Sequence, residues 1–251
     1  MERGHANGGT GSAADFIPPN ASLTALRKAA ATCRGCHLYK NATQTVFGEG
    51  PRHARVMFVG EQPGDAEDKA GHPFVGASGK LLDRAMEAAG LERDDAYVTN
   101  AVKHFKWAKD ATGKRRIHKS PNRGEVRACV PWLEAEIARV QPEIIVALGA
   151  TAGKALIGPS FSVTKQRGIE QKTAWAPSLV ATIHPSAVLR APRPIREREE
   201  RAFIADLAKV ARLLAHGKRE RTHRRSDKLL PWSATEAPSL TSSAQTRSSR
   251  R

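Results

Sequence analysis

The sequence is short of aromatic residues, cysteines and long apolar runs, and each shortage excludes a class of protein. Phe, Trp and Tyr make up 5% of the 251 residues, so a core must be built mainly from aliphatic side chains. No apolar run reaches the about eighteen residues of a membrane-spanning helix, and the N-terminus lacks the apolar segment of a secretory signal. Three cysteines, an odd number, argue against a disulfide scaffold and predict a soluble cytoplasmic protein without a membrane partner.

Positive charge, in contrast, is abundant. The chain carries 41 Lys and Arg against 25 Asp and Glu, a formal net charge of +16, which predicts a polyanionic partner such as nucleic acid. Residues 217–251 hold nine Lys or Arg and three Asp or Glu, and residues 103–127 hold nine basic side chains against Asp110 and Glu125. The sequence therefore predicts two basic regions, one near the C-terminus and one inside the chain.

Both ends of the chain lack apolar periodicity. Residues 1–20 are rich in Gly, Ala and Asn, and residues 217–251 are rich in Ser, Thr and Arg. These compositions predict a disordered N-terminal tail at 1–20, a folded domain at 21–216 and a disordered basic tail at 217–251. The basic tail is either a solvated segment without a special role or a non-specific anchor on DNA.

Short apolar runs alternate with helical patterns in the central part of the chain. The runs are continuously apolar, which is typical of parallel strands covered on both faces. They lie at residues 55–60, 97–102, 143–149 and 178–183, and the helical patterns lie at about 78–89, 123–140, 151–156 and 196–214. This alternation predicts an α/β protein, a three-layer α/β/α sandwich around a central four-stranded parallel sheet.

Polar segments follow three of the predicted strands. Residues 60–64 (GEQPG) follow the first strand, Lys103 and His104 follow the second, and residues 184–186 (HPS) follow the fourth. Ligands of open parallel sheets bind beyond the carboxyl ends of the strands, so these segments should converge on one rim. Each segment alone is typical of a tight turn or a structural histidine, whereas the set together predicts a functional site.

These segments resemble those of the family 4 uracil-DNA glycosylases, which have Gly-Glu-x-Pro-Gly after the first strand and His-Pro-Ser after the last. The resemblance continues through residues 71–76 (GHPFVG), 78–82 (SGKLL) and 99–100 (TN), and it covers residues 23–214. It implies the uracil-DNA glycosylase fold and a monomeric DNA-repair enzyme. Its partner would be uracil-containing DNA, single- or double-stranded, from which it would cleave the N-glycosidic bond of an extruded base.

The resemblance also assigns roles around the base. Phe74 would stack on the uracil ring, although it has a competing role in the core, and Asn100 would hydrogen-bond the Watson–Crick edge. His184 would donate a hydrogen bond to uracil O2 as negative charge develops there, assisted by backbone amides around Gln62. The remaining residues implied to line the substrate are Gly60, Gly64 and Ser186.

The segment Lys114–His118 (KRRIH) resembles the signature insertion of the X-type subfamily of these glycosylases. In that subfamily the histidine becomes covalently joined to the sugar, and Gln62, where the usual family member has Ala, also matches it. We therefore expect His118 to attack C1′ after Glu61 has accepted its proton, which gives a single turnover.

The alternatives are a conventional multi-turnover glycosylase, in which His118 is a DNA contact, and a non-catalytic DNA-binding module. The side chains expected to contact phosphates are Lys114, Arg115, Arg116 and Lys119.

The cysteines fit the same resemblance. Cys33 and Cys36 form a Cys-x-x-Cys pair, and Cys129 lies further along the chain. The family holds a 4Fe-4S cluster with four thiolates, and His104 stands where the family has the remaining cysteine. Since imidazole replaces thiolate on iron in Rieske centres, Cys33, Cys36, His104 and Cys129 are the implied ligands of a structural cluster. The same residue types also suit a Cys₃His zinc site.

Overall fold

The computed structural model describes residues 11–227, and for residues 217–227 it describes the backbone alone. The described residues fall into two units, one that ends at Ala215 and one that begins at His216. Most of the predicted C-terminal tail, residues 228–251, lies outside the described residues, as do residues 1–10 of the predicted N-terminal tail.

The central sheet contains the four predicted parallel strands and one additional short strand. The strands, with the two of a separate hairpin, are β1 (Val56–Gly60), β2 (Ala96–Asn100), β3 (Trp107–Lys109), β4 (Arg116–His118), β5 (Ile144–Leu148), β6 (Glu170–Gln171) and β7 (Ser178–Thr182). The strand order is β2-β1-β5-β7-β6, in which the first four strands run parallel and β6 pairs antiparallel with β7. Among residues 11–227 the sheet thus has five strands, where the sequence predicted four.

Helices cover both faces of this sheet, which confirms the three-layer α/β/α architecture. They are α1 (Leu23–Ala30), α2 (Asp65–Ala70), α3 (Ala77–Ala88), α4 (Arg123–Val140), α5 (Gly149–Leu156), α6 (Val163–Gln166), α7 (Pro185–Arg190) and α8 (Arg193–Asp227). On one face, Met86 of α3 and Phe203 of α8 pack against Phe58. On the other face, Leu133 of α4 and Leu156 of α5 pack against Ile145. Since every residue of β1, β2, β5 and β7 is buried, the continuous apolar runs are explained.

Within the described residues, the structure differs from both predicted tail boundaries. Residues Ala13–Phe16 form a 3-10 turn, and Ala13 is buried in a third apolar cluster with Cys33 and Trp132. At the other end, the backbone of α8 continues to Asp227, past the predicted boundary at residue 217. Phe16 and Ile17 pack against the same cluster as Ala13, and three apolar residues in a Gly-rich segment are too few to give a periodic pattern.

The middle of the internal basic region, residues 107–118, is an antiparallel hairpin formed by β3 and β4. Trp107 pairs with His118, and Lys109 pairs with Arg116. Asp110 closes the turn, because its carboxylate accepts hydrogen bonds from the backbone N–H groups of Lys114 and Arg115. No helix in the described part of the chain is long and apolar enough to cross a membrane.

Candidate functional site

The carboxyl ends of β1, β2 and β7 enclose a cavity of about 320 Å³. Asn100 ends β2, and His184 follows β7, so the parallel strands deliver both side chains to the same rim. Most of the residues predicted to act on or bind the substrate meet here: the lining includes Gln62, Gly64, Phe74, Asn100, His118, His184 and Ser186. The rim predicted from the sequence is therefore a cavity in the folded chain.

The floor of this cavity is a close contact between Gly60, Asn100 and Phe74. A Cβ atom at Gly60 would lie 2.3 Å from Asn100 Oδ1 and 2.7 Å from Phe74 Cζ, so only glycine leaves room for both side chains. Phe74 has a positive φ of 58°, which a non-glycine residue rarely adopts, and it belongs to the core cluster while it lines the cavity. Phe74 can therefore both pack in the core and offer its ring to the base, the two roles considered for it from the sequence.

His184 is held as a neutral imidazole with its proton on Nε2. The backbone N–H of Ser186 donates to Nδ1 at 3.1 Å, and the Ser186 hydroxyl lies 2.8 Å from the same atom. Because Nδ1 accepts, the proton of the neutral ring sits on Nε2 and makes that atom a donor. Burial, helped by the charges of Arg190 and His118, lowers the pKa of His184 to about 4, so the ring is uncharged at neutral pH.

His118 faces Glu61 across the rim. Its Nε2 lies 3.6 Å from Glu61 Oε1, and the other carboxylate oxygen, Oε2, accepts a short hydrogen bond from the Thr151 hydroxyl. Burial lowers the pKa of His118, Glu61 raises it, and Arg190 lowers it further, with a net shift below the usual histidine value. The arrangement places a carboxylate beside an imidazole that is mainly neutral at pH 7.

Gln62 anchors the hairpin that carries His118. Its amide nitrogen donates to the carbonyl oxygens of Lys106 and Lys119, each at 3.1 Å, and its amide oxygen accepts from the Lys106 N–H. These two lysines flank β3 and β4, so a single side chain holds both ends of the hairpin. An alanine at this position would make none of these hydrogen bonds.

Arg116 differs from the other three residues predicted to contact DNA. Its Nε donates to Asp65 Oδ1 at 2.5 Å, and one terminal nitrogen donates to Asp68 Oδ2 at 2.6 Å. The guanidinium also lies over the rings of Phe105 and Trp107. Its charge is thus committed within the protein. The side chains of Lys114, Arg115 and Lys119 are exposed, and within residues 11–227 no ion pair is recorded for them.

The three cysteines are buried in the same apolar cluster. Cys129 Sγ accepts a hydrogen bond from the Lys103 N–H at 3.2 Å, and Cys33 Sγ accepts one from the Gly35 N–H at 3.5 Å. Such N–H···S contacts are typical of thiolates that hold iron–sulfur clusters. His104 is also buried, but its Nε2 lies 2.9 Å from the Thr45 hydroxyl, which leaves Nδ1 as the nitrogen for a metal. Within the described residues, no three such side chains are gathered in a metal-binding group.

Two residues of the site, Thr151 and Arg190, were not found from the sequence, and the burial of a third, Lys103, was not expected. Thr151, which orients Glu61, lies in the first turn of α5 directly after β5. Ligands of open parallel sheets bind beyond the carboxyl ends of the strands, and this rule (the strand-end rule) would have predicted Thr151 as a site residue. Arg190, whose charge acts on both histidines, ends α7. Lys103 is completely buried, and its ammonium donates to the Asn100 carbonyl oxygen. A lysine that follows a strand is usually exposed, so the sequence does not predict that Lys103 is buried.

Comparison with known proteins identifies the family to which these features belong. Residues 47–208 match the profile of the uracil DNA glycosylase superfamily. The type-4 uracil-DNA glycosylase of Thermotoga maritima is 39% identical over 159 residues, which is 63% of this chain and 78% of that protein. The type-4 uracil-DNA glycosylase of Sulfurisphaera tokodaii is 36% identical over 206 residues, which is 79% of this chain and 87% of that protein.

Proposed function

The chain belongs to the uracil-DNA glycosylase superfamily, and on that premise we propose that it excises uracil from DNA and then binds the sugar covalently through His118. The coarser part, uracil-DNA glycosylase activity in DNA repair, follows from the relatives. The finer part rests mainly on one observation, the position of His118 Nε2 at 3.6 Å from Glu61 Oε1 on the rim of the cavity.

Uracil recognition uses the floor of the cavity. The base leaves the stack and lies against Phe74, while the Asn100 amide offers a donor and an acceptor to its Watson–Crick edge. Because Gly60 has no side chain, both groups reach the base at once. Gly60 and Asn100 end two neighbouring strands, and Phe74 reaches the same place from the segment between α2 and α3.

Cleavage of the C1′–N1 bond sends the bonding electron pair to uracil and leaves an oxocarbenium ion at the sugar. Negative charge then develops on uracil O2. The Nε2–H of His184 is a pre-oriented donor for that oxygen, because Ser186 fixes the tautomer and burial keeps the ring neutral. Removal of one such donor costs about a hundred- to a thousandfold in rate in other enzymes.

Capture of the sugar uses the second histidine. Glu61, oriented by Thr151, takes the Nε2 proton of the His118 imidazolium directly or through one water, which leaves a neutral ring with its remaining proton on Nδ1. The lone pair on Nε2 then attacks C1′ of the oxocarbenium ion, and the resulting N-alkyl imidazolium releases its Nδ1 proton to solvent. The product is a neutral imidazole bonded to the abasic sugar, and a poor leaving group makes its hydrolysis slow. Each molecule therefore acts once.

The exposed basic side chains of the hairpin hold the DNA. Lys114, Arg115 and Lys119 point to solvent, so they are available to neutralise phosphates beside the extruded nucleotide. Arg116 acts differently from the expectation, because its ion pairs with Asp65 and Asp68 fix the hairpin to α2. The DNA backbone would thus contact the exposed side of a hairpin whose other side is fixed to α2 by the Arg116 ion pairs.

A 4Fe-4S cluster is the proposed cofactor, with zinc as the alternative metal. The buried thiols of Cys33, Cys36 and Cys129 and the Nδ1 atom of His104 would hold it, supported by the N–H···S contacts. Bound there, the cluster would supply a structural link between the N-terminal segment and α4. No step of the reaction described above passes through it.

The deciding experiment is a denaturing gel of the full chain with a uracil-containing oligonucleotide. We expect a slowly migrating band that resists heat and detergent in the wild type and is absent from His118→Ser. A matched control is His53→Ser, which removes an exposed histidine outside the site and should leave the band intact. Abasic product without the band in the wild type would instead identify a conventional type-4 enzyme, the alternative that the identity to type-4 relatives favours.

A further inference from the structure

A second cavity, of about 670 Å³, adjoins the uracil cavity. The two cavities share five lining residues: Gln62, His118, His184, Ser186 and Arg190. Their border therefore runs between His118 and His184, the two side chains that act on the sugar and the base in the proposed function. If uracil occupies the first cavity, its sugar lies at this border, and the DNA chain continues into the second cavity.

The far wall of the second cavity is apolar. It is formed by Ile117 of the hairpin, Leu148 at the end of β5, Val163 at the start of α6 and Ile183 directly after β7. Arg116 and His118 both contact the Phe105 ring, so Ile117, which lies between them on β4, points to the opposite side of the strand. Ile117 is 43% exposed, and an apolar side chain held toward an open cavity suits a flat apolar ligand.

The edge of the same cavity is cationic. Lys119 and Arg190 both line it, both are exposed, and neither forms an ion pair within residues 11–227. An apolar wall beside free cations matches the chemistry of a nucleotide, in which a flat base is joined to a phosphate. The cavity volume also falls within the about 300–1,000 Å³ that is usual for small-molecule sites.

We propose that the second cavity binds the base of one nucleotide directly adjoining the uracil, unstacked from the rest of the DNA. This inference rests on the proposed function, because it takes uracil to occupy the first cavity. A neighbouring base in a duplex is paired and stacked, and it must leave the helix at a cost before it can enter the cavity. In a single strand that base is free, so the substrate class of this site is single-stranded DNA.

The test is a series of single-stranded oligonucleotides with one uracil, in which one other base at a time is removed and its sugar and phosphate are kept. Affinity is measured with a 2′-fluorinated deoxyuridine, because the fluorine destabilises the oxocarbenium ion and slows cleavage. We expect removal of the base on one adjoining side to weaken binding about tenfold, within the range for stacking of one base. Removal of a base two or more nucleotides away should have no effect.

Protein variants connect this effect to the cavity. In Val163→Ala and in Ile117→Ala, removal of the adjoining base should weaken binding by less than in the wild type, because part of its contact is already lost. Val163→Ala is included because Ile117 lies next to His118 on β4, so a change at Ile117 can also displace His118. The matched control is Ile195→Ala, since Ile195 is also 43% exposed but lies on α8 outside the cavity. It should keep the full tenfold effect.

The outcomes distinguish failure of the base-binding cavity from failure of the proposed function. Equal affinity for every oligonucleotide in the series, with uracil still released, overturns the base-binding cavity and leaves the proposed function standing. An effect of base removal that is the same in Val163→Ala as in the wild type also overturns it. Absence of uracil release from the intact oligonucleotide overturns the proposed function, and the inference fails with it.

Discussion

The ammonium of Lys103 lies 2.7 Å from the main-chain carbonyl oxygen of Asn100, the residue expected to contact the edge of uracil. Both residues are buried, and the same ammonium donates to Thr99 Oγ1 and to Glu136 Oε2 at 2.6 and 2.5 Å. Glu136 belongs to α4, so the ion pair fastens the end of β2 to a helix on the face of the sheet. Asn100 is therefore positioned through Lys103.

Lys103→Met should lower both stability and selectivity. Loss of one partner of a buried ion pair leaves Glu136 uncompensated, which costs about 3–5 kcal/mol of unfolding free energy. Asn100 also loses its main-chain support, so the preference for uracil over 4-thiouracil, which differs at the Watson–Crick edge, should fall about tenfold. Urea denaturation and competitive excision measure the two effects.

Lys172→Met is the control for this variant, because Lys172 forms an exposed ion pair with Glu170. It should change stability by less than about 0.5 kcal/mol and leave selectivity unchanged. A Lys103→Met protein that is destabilised but keeps full selectivity would show that Lys103 stabilises the fold without positioning Asn100.

Gln62→Ala should separate uracil release from capture of the sugar. The variant loses three hydrogen bonds that hold Lys106 and Lys119 at the two ends of the hairpin, so His118 is no longer held opposite Glu61. The groups proposed to act on the base, Asn100 and His184, keep their contacts. We expect the rate of adduct formation to fall about tenfold or more while uracil release changes little, as measured in single-turnover reactions. Equal losses in both rates would contradict this assignment.

Much of this architecture could be predicted from the sequence because it depends on apolar periodicity. The observed bounds of β1, β2, β5 and β7 lie within about two residues of the predicted strands, and α4 has the predicted bounds. The strand-end rule also brought Glu61 and His184 to one rim. β6 was missed because a two-residue strand, Glu170–Gln171, has no measurable pattern.

The parts that were missed depend on long-range polar contacts. Three-residue strands rich in Lys and Arg gave no strand signal, and the hairpin forms because Gln62 and the Asp65–Arg116 pair hold it from outside. The same reason explains why Arg116 was taken for a phosphate contact. Its two carboxylate partners lie 48 and 51 residues away in sequence, a separation that no local pattern reveals.

The low pKa of His184 predicts a particular dependence of stability on pH. Its folded pKa is about 4, below the usual value of 6.5, so the unfolded chain binds more protons between these values. The stability that this residue contributes is complete above pH 6.5 and is lost as the pH falls from 6.5 through 4. Urea midpoints of the wild type and of His184→Asn should therefore converge as the pH is lowered over this interval. Parallel curves would show that the ring is not desolvated.

Arg190→Gln should shift the pH profile of adduct formation toward higher pH. The Arg190 charge lowers the pKa of His118, whereas Glu61 raises it, and burial is the largest cause of the net decrease. Without the arginine the pKa of His118 rises, so a larger fraction is protonated near pH 6 and cannot attack C1′. The midpoint of the profile, rather than the maximum rate, is the quantity to compare, because Arg190 also lines both cavities. Arg193→Gln, an exposed arginine that pairs with Glu197 of its own helix, should leave the midpoint unchanged.

Iron content tests the proposed cofactor independently of activity. Full-length protein purified without oxygen should absorb near 400 nm and contain iron and sulfide, and Cys36→Ser should lose both because one buried thiolate ligand is removed. His104→Cys should retain iron, since a thiolate replaces the imidazole, and its absorption spectrum should change because a sulfur ligand donates more charge to iron. Thr45→Val removes the hydroxyl that holds His104 Nε2 and should weaken iron retention less than Cys36→Ser does. Zinc in place of iron, at one ion per chain, would assign the site to the Cys₃His alternative.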